Sequence, residues 1–250
     1  MKPKKARVRL DQLLVGRGLA DTPQKAQAMI LAGEVFVDGE RVNQSGTAVK
    51  KDAELSIHSR EQKYASRGGF KLEGALHDFQ LDPAGRVCLD IGSSTGGFTD
   101  CLLQHGAARV YSVDVTVDQI AWKLRQDPRV VRIECNAREL RREEISESVT
   151  LVTVDVSFIS AGKVLVPAAA AAAEGADFLI LVKPQFELTR EEIGAGGIVS
   201  DMSLHEKAIA IVRNAATSAG LLSFDVKPSK LTGAEGNQEY FLHARKISLG

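Results

Sequence analysis

The sequence predicts a doubly wound, Rossmann-like α/β domain preceded by a small α+β module. Three observations carry this. From residue 86 onwards, short apolar runs alternate with helical stretches, the pattern of a mainly parallel sheet covered on both faces. A glycine-rich turn at residues 92–97 joins an apolar strand to a helix. The first 60 residues have their own short periodicities and a basic charge balance.

A chain of 250 residues has room for two domains, and 44% apolar with 26% charged residues suits a globular protein. No apolar run reaches the roughly 18–20 residues that span a bilayer. The longest candidate, 164–173, is short and mostly alanine. The start, Met1-Lys2-Pro3-Lys4-Lys5, has no apolar core of a secretory signal. Cys88, Cys101 and Cys135 are odd in number and lack metal-type spacing. They read as reduced thiols of a cytoplasmic protein with no metal site and no membrane contact. The net charge of zero hides an asymmetry. Residues 1–71 carry 14 Lys and Arg against 8 Asp and Glu, a balance of +6 that the remainder cancels. A basic leading segment suits phosphate binding, although a solvated charged face gives the same count.

Within residues 1–60, Leu10, Leu13, Leu14 and Leu19 suit one face of a short helix closed by Gly16 and Gly18. Asp21-Thr22-Pro23 offers a cap and a first-turn proline for a second helix at 24–31, stopped by Gly33. Asp38-Gly39 between Val35-Phe36-Val37 and Glu40-Arg41-Val42 predicts a hairpin, and Leu55 and Ile57 a closing strand. The strings Arg9-Leu10-Asp11-Gln12-Leu13-Leu14, Ala26-Gln27-Ala28-Met29-Ile30 and Gly33-Glu34-Val35-Phe36-Val37-Asp38-Gly39 resemble the S4-type RNA-binding fold. That resemblance implies that Arg7, Arg9, Arg17, Lys25 and Arg41 meet RNA phosphates, contacts that position rather than specify.

Residues 61–67 read as a polar linker between domains at 1–60 and 68–250. Gly68-Gly69 opens a helix through Lys71, Leu72, Ala75, Leu76 and Phe79. Strands are expected at 87–91, 110–113, 130–133, 151–154, 178–182, 222–226 and 240–244, and the alanine run 168–173 as helix.

The most informative motif is Asp90-Ile91-Gly92-Ser93-Ser94-Thr95-Gly96-Gly97-Phe98-Thr99. Its glycines let backbone approach a ligand closely, and the following helix start offers N–H donors. The spacing is not that of a dinucleotide fold. It resembles the loop of adenosylmethionine-dependent methyltransferases, in which Asp90, Gly92, Ser93, Ser94, Gly96, Gly97 and Phe98 would surround the methionine part. Asp114, at the next strand end and about 20 residues past the glycines, suits ribose hydroxyls. Asn136, after the third strand, suits an adenine edge, with a turn residue as the rival reading. Asp155 and Lys183 end the fourth and fifth strands, where open α/β sheets bind ligands. Spacing alone does not join them to Lys71 and Glu239.

A wider resemblance does. Tyr64-x-Ser66-Arg67-Gly68-Gly69-x-Lys71-Leu72, the glycine loop, Asp155-Val156-Ser157-Phe158-Ile159-Ser160, Val182-Lys183-Pro184-Gln185-Phe186-Glu187 and Gly233-x-x-Gly236-Asn237-Gln238-Glu239-Tyr240 are together similar to the TlyA, or hemolysin A, family. Its catalytic half resembles FtsJ-type RNA 2′-O-methyltransferases of class I fold. The resemblance implies a catalytic tetrad of Lys71, Asp155, Lys183 and Glu239, with Asp155 also beside the cofactor and Arg67 joining the RNA contacts. It implies S-adenosylmethionine as methyl donor, S-adenosylhomocysteine as product, and ribosomal RNA or ribosomal subunits as partner. Two alternatives stay open at this point: a membrane-lytic protein, as the family's older name suggests, and a non-catalytic RNA-binding protein on the same fold.

Overall fold

The computed structural model describes residues 7–57, 63–194, 196–233 and 235–247. The lysine-rich start at 2–5 and residues 61 and 62 of the expected linker lie outside the described residues. The chain divides into two compact units, residues 1–63 and 64–250.

In the first unit, β1 (Arg7–Arg9) pairs antiparallel with β4 (Ala48–Lys50). A second sheet holds β2 (Val35–Val37) between β3 (Glu40–Arg41) and β5 (Leu55–Ile57). Asp38 and Gly39 both take positive φ, 50° and 85°, as the tight hairpin turn demands. Helices α1 (Leu10–Gly16) and α2 (Pro23–Leu31) bury Leu10, Leu14, Ala26 and Ile30 against Val35. Thr22 caps α2 by accepting from the Lys25 N–H at 3.1 Å, with Pro23 in the first turn where no backbone donor is needed. The sequence pattern missed β1 and β4, each of which carries a single core-facing valine.

The second unit is a seven-stranded sheet of β6 (Val87–Ile91), β7 (Arg109–Asp114), β8 (Val130–Glu134), β9 (Val149–Val154), β10 (Ala172–Val182), β11 (Leu221–Pro228) and β12 (Tyr240–Lys246). The order across the sheet is β11-β12-β10-β9-β6-β7-β8, all parallel except β12, which runs antiparallel to both neighbours. Helices α3 (Gly68–Phe79) and α4 (Gly97–Gln104) cover one face, and α6 (Gly162–Ala171) and α8 (Met202–Ser218) the other. Along β10 the period-2 alternation sends Leu179 and Leu181 to the first core and Phe178, Ile180 and Val182 to the second. One-turn helices α5 (Trp122–Arg125) and α7 (Pro184–Glu187) follow β7 and β10. Among the described residues no helix is long and apolar enough to cross a membrane.

Two expectations are corrected. The alanine run is not helical throughout: α6 ends at Ala171, and Ala172 starts β10 by pairing with Val149. Tyr64, expected in a polar linker, is buried in the core beneath α3 and α4, where it meets the Phe70 ring edge-on at 5.1 Å.

Because β7 and β9 flank β6 on opposite sides, the chain reverses its winding there. The carboxyl ends of β6 and β9 therefore open a crevice, the place where such sheets bind ligands.

Candidate functional site

The crevice is shaped by the turn between β6 and α4. Gly92 has φ +83°, and a Cβ placed on it would lie 2.2 Å from the Asp155 carbonyl oxygen. No other residue meets both conditions. The Gly92 and Ser93 N–H groups donate to the Val113 carbonyl, and the Ser94 N–H donates to Asp114 Oδ2 at 2.9 Å. Gly97 is constrained by contact alone, since its Cβ would sit 2.2 Å from Ser66 Oγ and 3.0 Å from the Gly69 nitrogen. The turn thus interlocks with the start of α3.

Two adjoining cavities result. One, of about 230 Å³, is lined by Ser66, Arg67, Lys71, Phe98, Asp155 and Lys183 among others. The second, of about 340 Å³, is lined by Asp114, Val115, Cys135, Asn136 and Phe158 among others. Gly92, Ser94, Asp155 and Ser157 belong to both walls. The first contains the ammonium groups of Lys71 and Lys183, the Arg67 guanidinium and one carboxylate, that of Asp155. The second has an acid and an amide set among apolar side chains, a lining suited to a nucleoside.

Of the expected ligand residues, Gly92, Ser93, Ser94, Gly97, Phe98, Asp114, Asn136 and Asp155 line these cavities. Phe98 is buried and stacked on Phe241, with ring centroids 6.0 Å apart. Gly96 lines neither cavity: a Cβ there would strike Leu124 and Ile120, so it shapes the turn. Asp90 is also a correction. It is fully buried in mid-strand and lines neither cavity. Thr99 Oγ1 and Thr153 Oγ1 donate to its carboxylate at 2.6 and 2.9 Å. Burial pushes its pKa up to about 6, with the two threonines opposing the shift.

The four tetrad positions come together as two ion pairs. Lys183 Nζ lies 2.6 Å from Asp155 Oδ1, and Lys71 Nζ lies 2.5 Å from Glu239 Oε2. Lys71, Asp155 and Lys183 line the first cavity. Glu239 is 2% exposed and stands outside that lining, paired with Lys71. Gly233 gives it room, because a Cβ there would come within 2.7 Å of Glu239 Oε1.

Sequence reasoning singled out none of Ser66, Ser157, Phe158, Phe186 or Glu187, although each lies in a quoted motif. Lys183 Nζ donates to Ser157 Oγ at 2.9 Å. Phe158 is 88% exposed and holds φ +66°, where a bulky residue is strained. Its ring lies 5.3 Å from Phe186. Glu187 accepts from Ser160 Oγ at 2.5 Å and from the Ala161 N–H at 2.8 Å, supplying the cap that α6 lacks locally. Burial raises its pKa, against those two bonds.

In the first unit, Arg7, Arg9, Arg17, Lys25 and Arg41 are all exposed. Three are already engaged. Arg9 pairs with Asp11 at 2.7 Å, Arg17 donates to the Ala53 and Lys51 carbonyls, and Arg41 donates to those of Gly33 and Ala32. Arg67 belongs to the second unit and to the wall of the first cavity.

Comparison with known proteins agrees with this two-part fold. The FtsJ-like methyltransferase model matches residues 64–246, and the S4 domain model matches residues 8–55. The chain belongs to the FtsJ-like methyltransferase family. It is 46% identical over 241 residues to the 16S/23S rRNA (cytidine-2′-O)-methyltransferase TlyA of Mycobacterium tuberculosis, covering 96% of this chain and 90% of that protein. It is 40% identical over 239 residues to hemolysin A of Brachyspira hyodysenteriae, covering 94% and 99%. A solved Streptococcus thermophilus structure bearing a hemolysin name superposes with a TM-score of 0.75 at 38% identity, over 98% of this chain and 90% of that one.

Proposed function

We propose that the protein transfers a methyl group from S-adenosylmethionine to a ribose 2′-hydroxyl of ribosomal RNA, acting in the cytoplasm on ribosomal subunits. The observation that carries this reading is the junction of the two cavities. The nucleoside-shaped cavity and the cavity holding the Lys183–Asp155 pair share the wall of Gly92, Ser94, Asp155 and Ser157.

The residues fit the cofactor. Gly92 and Gly97 line the first cavity and let the turn close on Asp155 and Ser66, where a side chain would clash. Asp114 stands at the end of β7, where a carboxylate meets ribose hydroxyls, and Asn136 at the end of β8 offers an amide to an adenine edge. When bound, the sulfonium supplies an electrophilic methyl group, so positioning the acceptor accounts for much of the acceleration.

Lys183 first gives its ammonium proton to solvent; the free amine then holds the acceptor hydroxyl and takes its proton, with Asp155 2.6 Å away to balance the ammonium so regenerated. Lys71, lining the same cavity and paired with Glu239 behind it, keeps a second cation beside the oxygen as negative charge develops there. Phe158, exposed on the rim of the nucleoside cavity, offers a face on which the base of the target nucleotide stacks. The first unit brings basic side chains to the RNA backbone. Arg7 and Lys25 are exposed and ready for phosphate, while Arg9, Arg17 and Arg41 also hold the module's own loops.

The test is methyl transfer from labelled S-adenosylmethionine to ribosomal subunits purified from cells lacking the gene. Label in RNA, at a ribose oxygen, is the expected result. Label on a base, or no label on either subunit, contradicts the proposal.

A further inference from the structure

We propose that Ser157 is a positioning residue for Lys183, fixing the direction in which its amine meets the acceptor hydroxyl. The inference rests on the reading of Lys183 given above. A tetrahedral lysine nitrogen has four positions, one of them bonded to its own side chain. Ser157 Oγ, accepting at 2.9 Å, takes a second. Asp155 Oδ1 at 2.6 Å balances the charge without hydrogen-bond geometry, so it does not fix the direction of the amine. Lys183 lines the cavity that Asp155 and Ser157 also line, and its remaining positions serve the acceptor. With Asp155 alone, the amine could swing about that contact. A second anchor removes the freedom, which matters because reaction rates are sensitive to small misplacements.

The fold spends several devices on holding Ser157 where it is. Asp155, two residues earlier, is pressed against Gly92 so closely that only glycine fits opposite it. Phe158, the next residue, is held at φ +66°, a strained conformation that persists only where the surroundings enforce it. Glu187 supplies the enforcement by binding Ser160 and the Ala161 N–H from the loop that follows Lys183. The Phe158 and Phe186 rings add a second link between the same two loops. The Ser157 hydroxyl and the Lys183 amine thus sit on segments clamped to each other. Lys183 is 8% exposed while Ser157 lies at the surface of the crevice. Ser157 is therefore a fixed partner for a buried cation at the wall of the crevice, not a member of the packed core.

The test compares full-length Ser157→Ala, Ser157→Thr and Lys183→Ala, using the same ribosomal subunits and titrating S-adenosylmethionine by calorimetry. Ser157→Ala is expected to lower kcat by about 30-fold or more. KM for the subunits and Kd for the cofactor should change far less than kcat, by less than about threefold, because Ser157 lines both cavities but its hydroxyl acts on the rate through Lys183. Ser157→Thr, which keeps the hydroxyl, should recover most of the rate. An unchanged kcat in Ser157→Ala overturns the inference. So does a loss of cofactor or subunit affinity that matches the loss of rate, or a loss that threonine does not recover. If Lys183→Ala methylates as well as the native protein, the underlying reading of the site has failed. If Lys183→Ala is inactive and Ser157→Ala is not impaired, only the present inference has failed.

Discussion

Lys71 and Glu239, 168 positions apart in sequence, form an ion pair of 2.5 Å whose side chains are 11% and 3% exposed. The contact ties α3 to the residue before β12 beside the first cavity. A buried pair of this kind is costly to break from one side, because the remaining charge loses its partner. Glu239→Ala should lower stability by about 3–5 kcal/mol in urea unfolding and abolish methylation. Replacing both residues by apolar ones of similar size should restore most of the stability and none of the activity. Recovery of activity in the double variant would remove Lys71 and Glu239 from the chemistry.

Gly92 joins the cofactor turn to the loop bearing Asp155. In Gly92→Ala the new Cβ meets the Asp155 carbonyl at 2.2 Å and the residue must hold φ +83°. Calorimetry should show cofactor affinity reduced by about 100-fold or more, with a stability loss of about 1–3 kcal/mol from the strained backbone alone. Cofactor binding within about threefold of native would show that the turn does not cradle the ligand.

Asp90 makes stability depend on pH in a defined window. Its folded pKa of about 6 lies above the usual carboxylate value, because burial disfavours the charged form. The folded state therefore holds the proton more tightly than the unfolded chain. The resulting stabilisation is fully present below about pH 4 and is lost as pH rises through 6, a difference of roughly 2–3 kcal/mol. Asp90→Asn should remove this component, so that the native and variant stability curves diverge between pH 4 and 6. Curves that stay parallel across this range would contradict the assignment. Asp177 acts with the opposite sign. Burial pushes its carboxyl up, but bonds from His243, Arg245 and Arg86 outweigh that and hold it well below the usual range. Its contribution is present above about pH 4 and is lost only in stronger acid.

Phe158 separates substrate handling from folding. Its side chain is 88% exposed, so Phe158→Ala should leave the unfolding midpoint nearly unchanged. Loss of a stacking face for the target base should reduce kcat/KM on ribosomal subunits by about 10- to 100-fold, with cofactor affinity held within about threefold. A variant as active as the native protein would assign Phe158 no role in base recognition.

How far the sequence discloses all this depends on the distances involved. The β6-to-α4 turn was legible because its strand, glycines and helix are contiguous. The Asp38-Gly39 hairpin was legible for the same reason. Asp90 was misplaced because adjacency to glycines suggests ligand contact. Its register, opposite Ser112 and Thr153, instead puts it inside the sheet. Alanine favours helix, yet Ala172 became strand because pairing with Val149 outweighed local preference. Lys71, Asp155, Lys183 and Glu239 lie on four separate elements, and periodicity carries nothing about such encounters. Only the likeness to a known family joined them. Ser157 and Glu187 stand in motifs of that likeness, but their roles emerge only from the contacts between the β9 and β10 loops.

The central claim is that Lys183 directs methyl transfer to a ribose oxygen. The most direct measurement maps the modified atom in ribosomal RNA after reaction with native protein and with Lys183→Ala. Native protein should leave 2′-O-methyl ribose, while Lys183→Ala should bind cofactor and subunits within about threefold of native and leave no methyl group. A methyl group on a base, or undiminished ribose methylation by Lys183→Ala, would contradict the account.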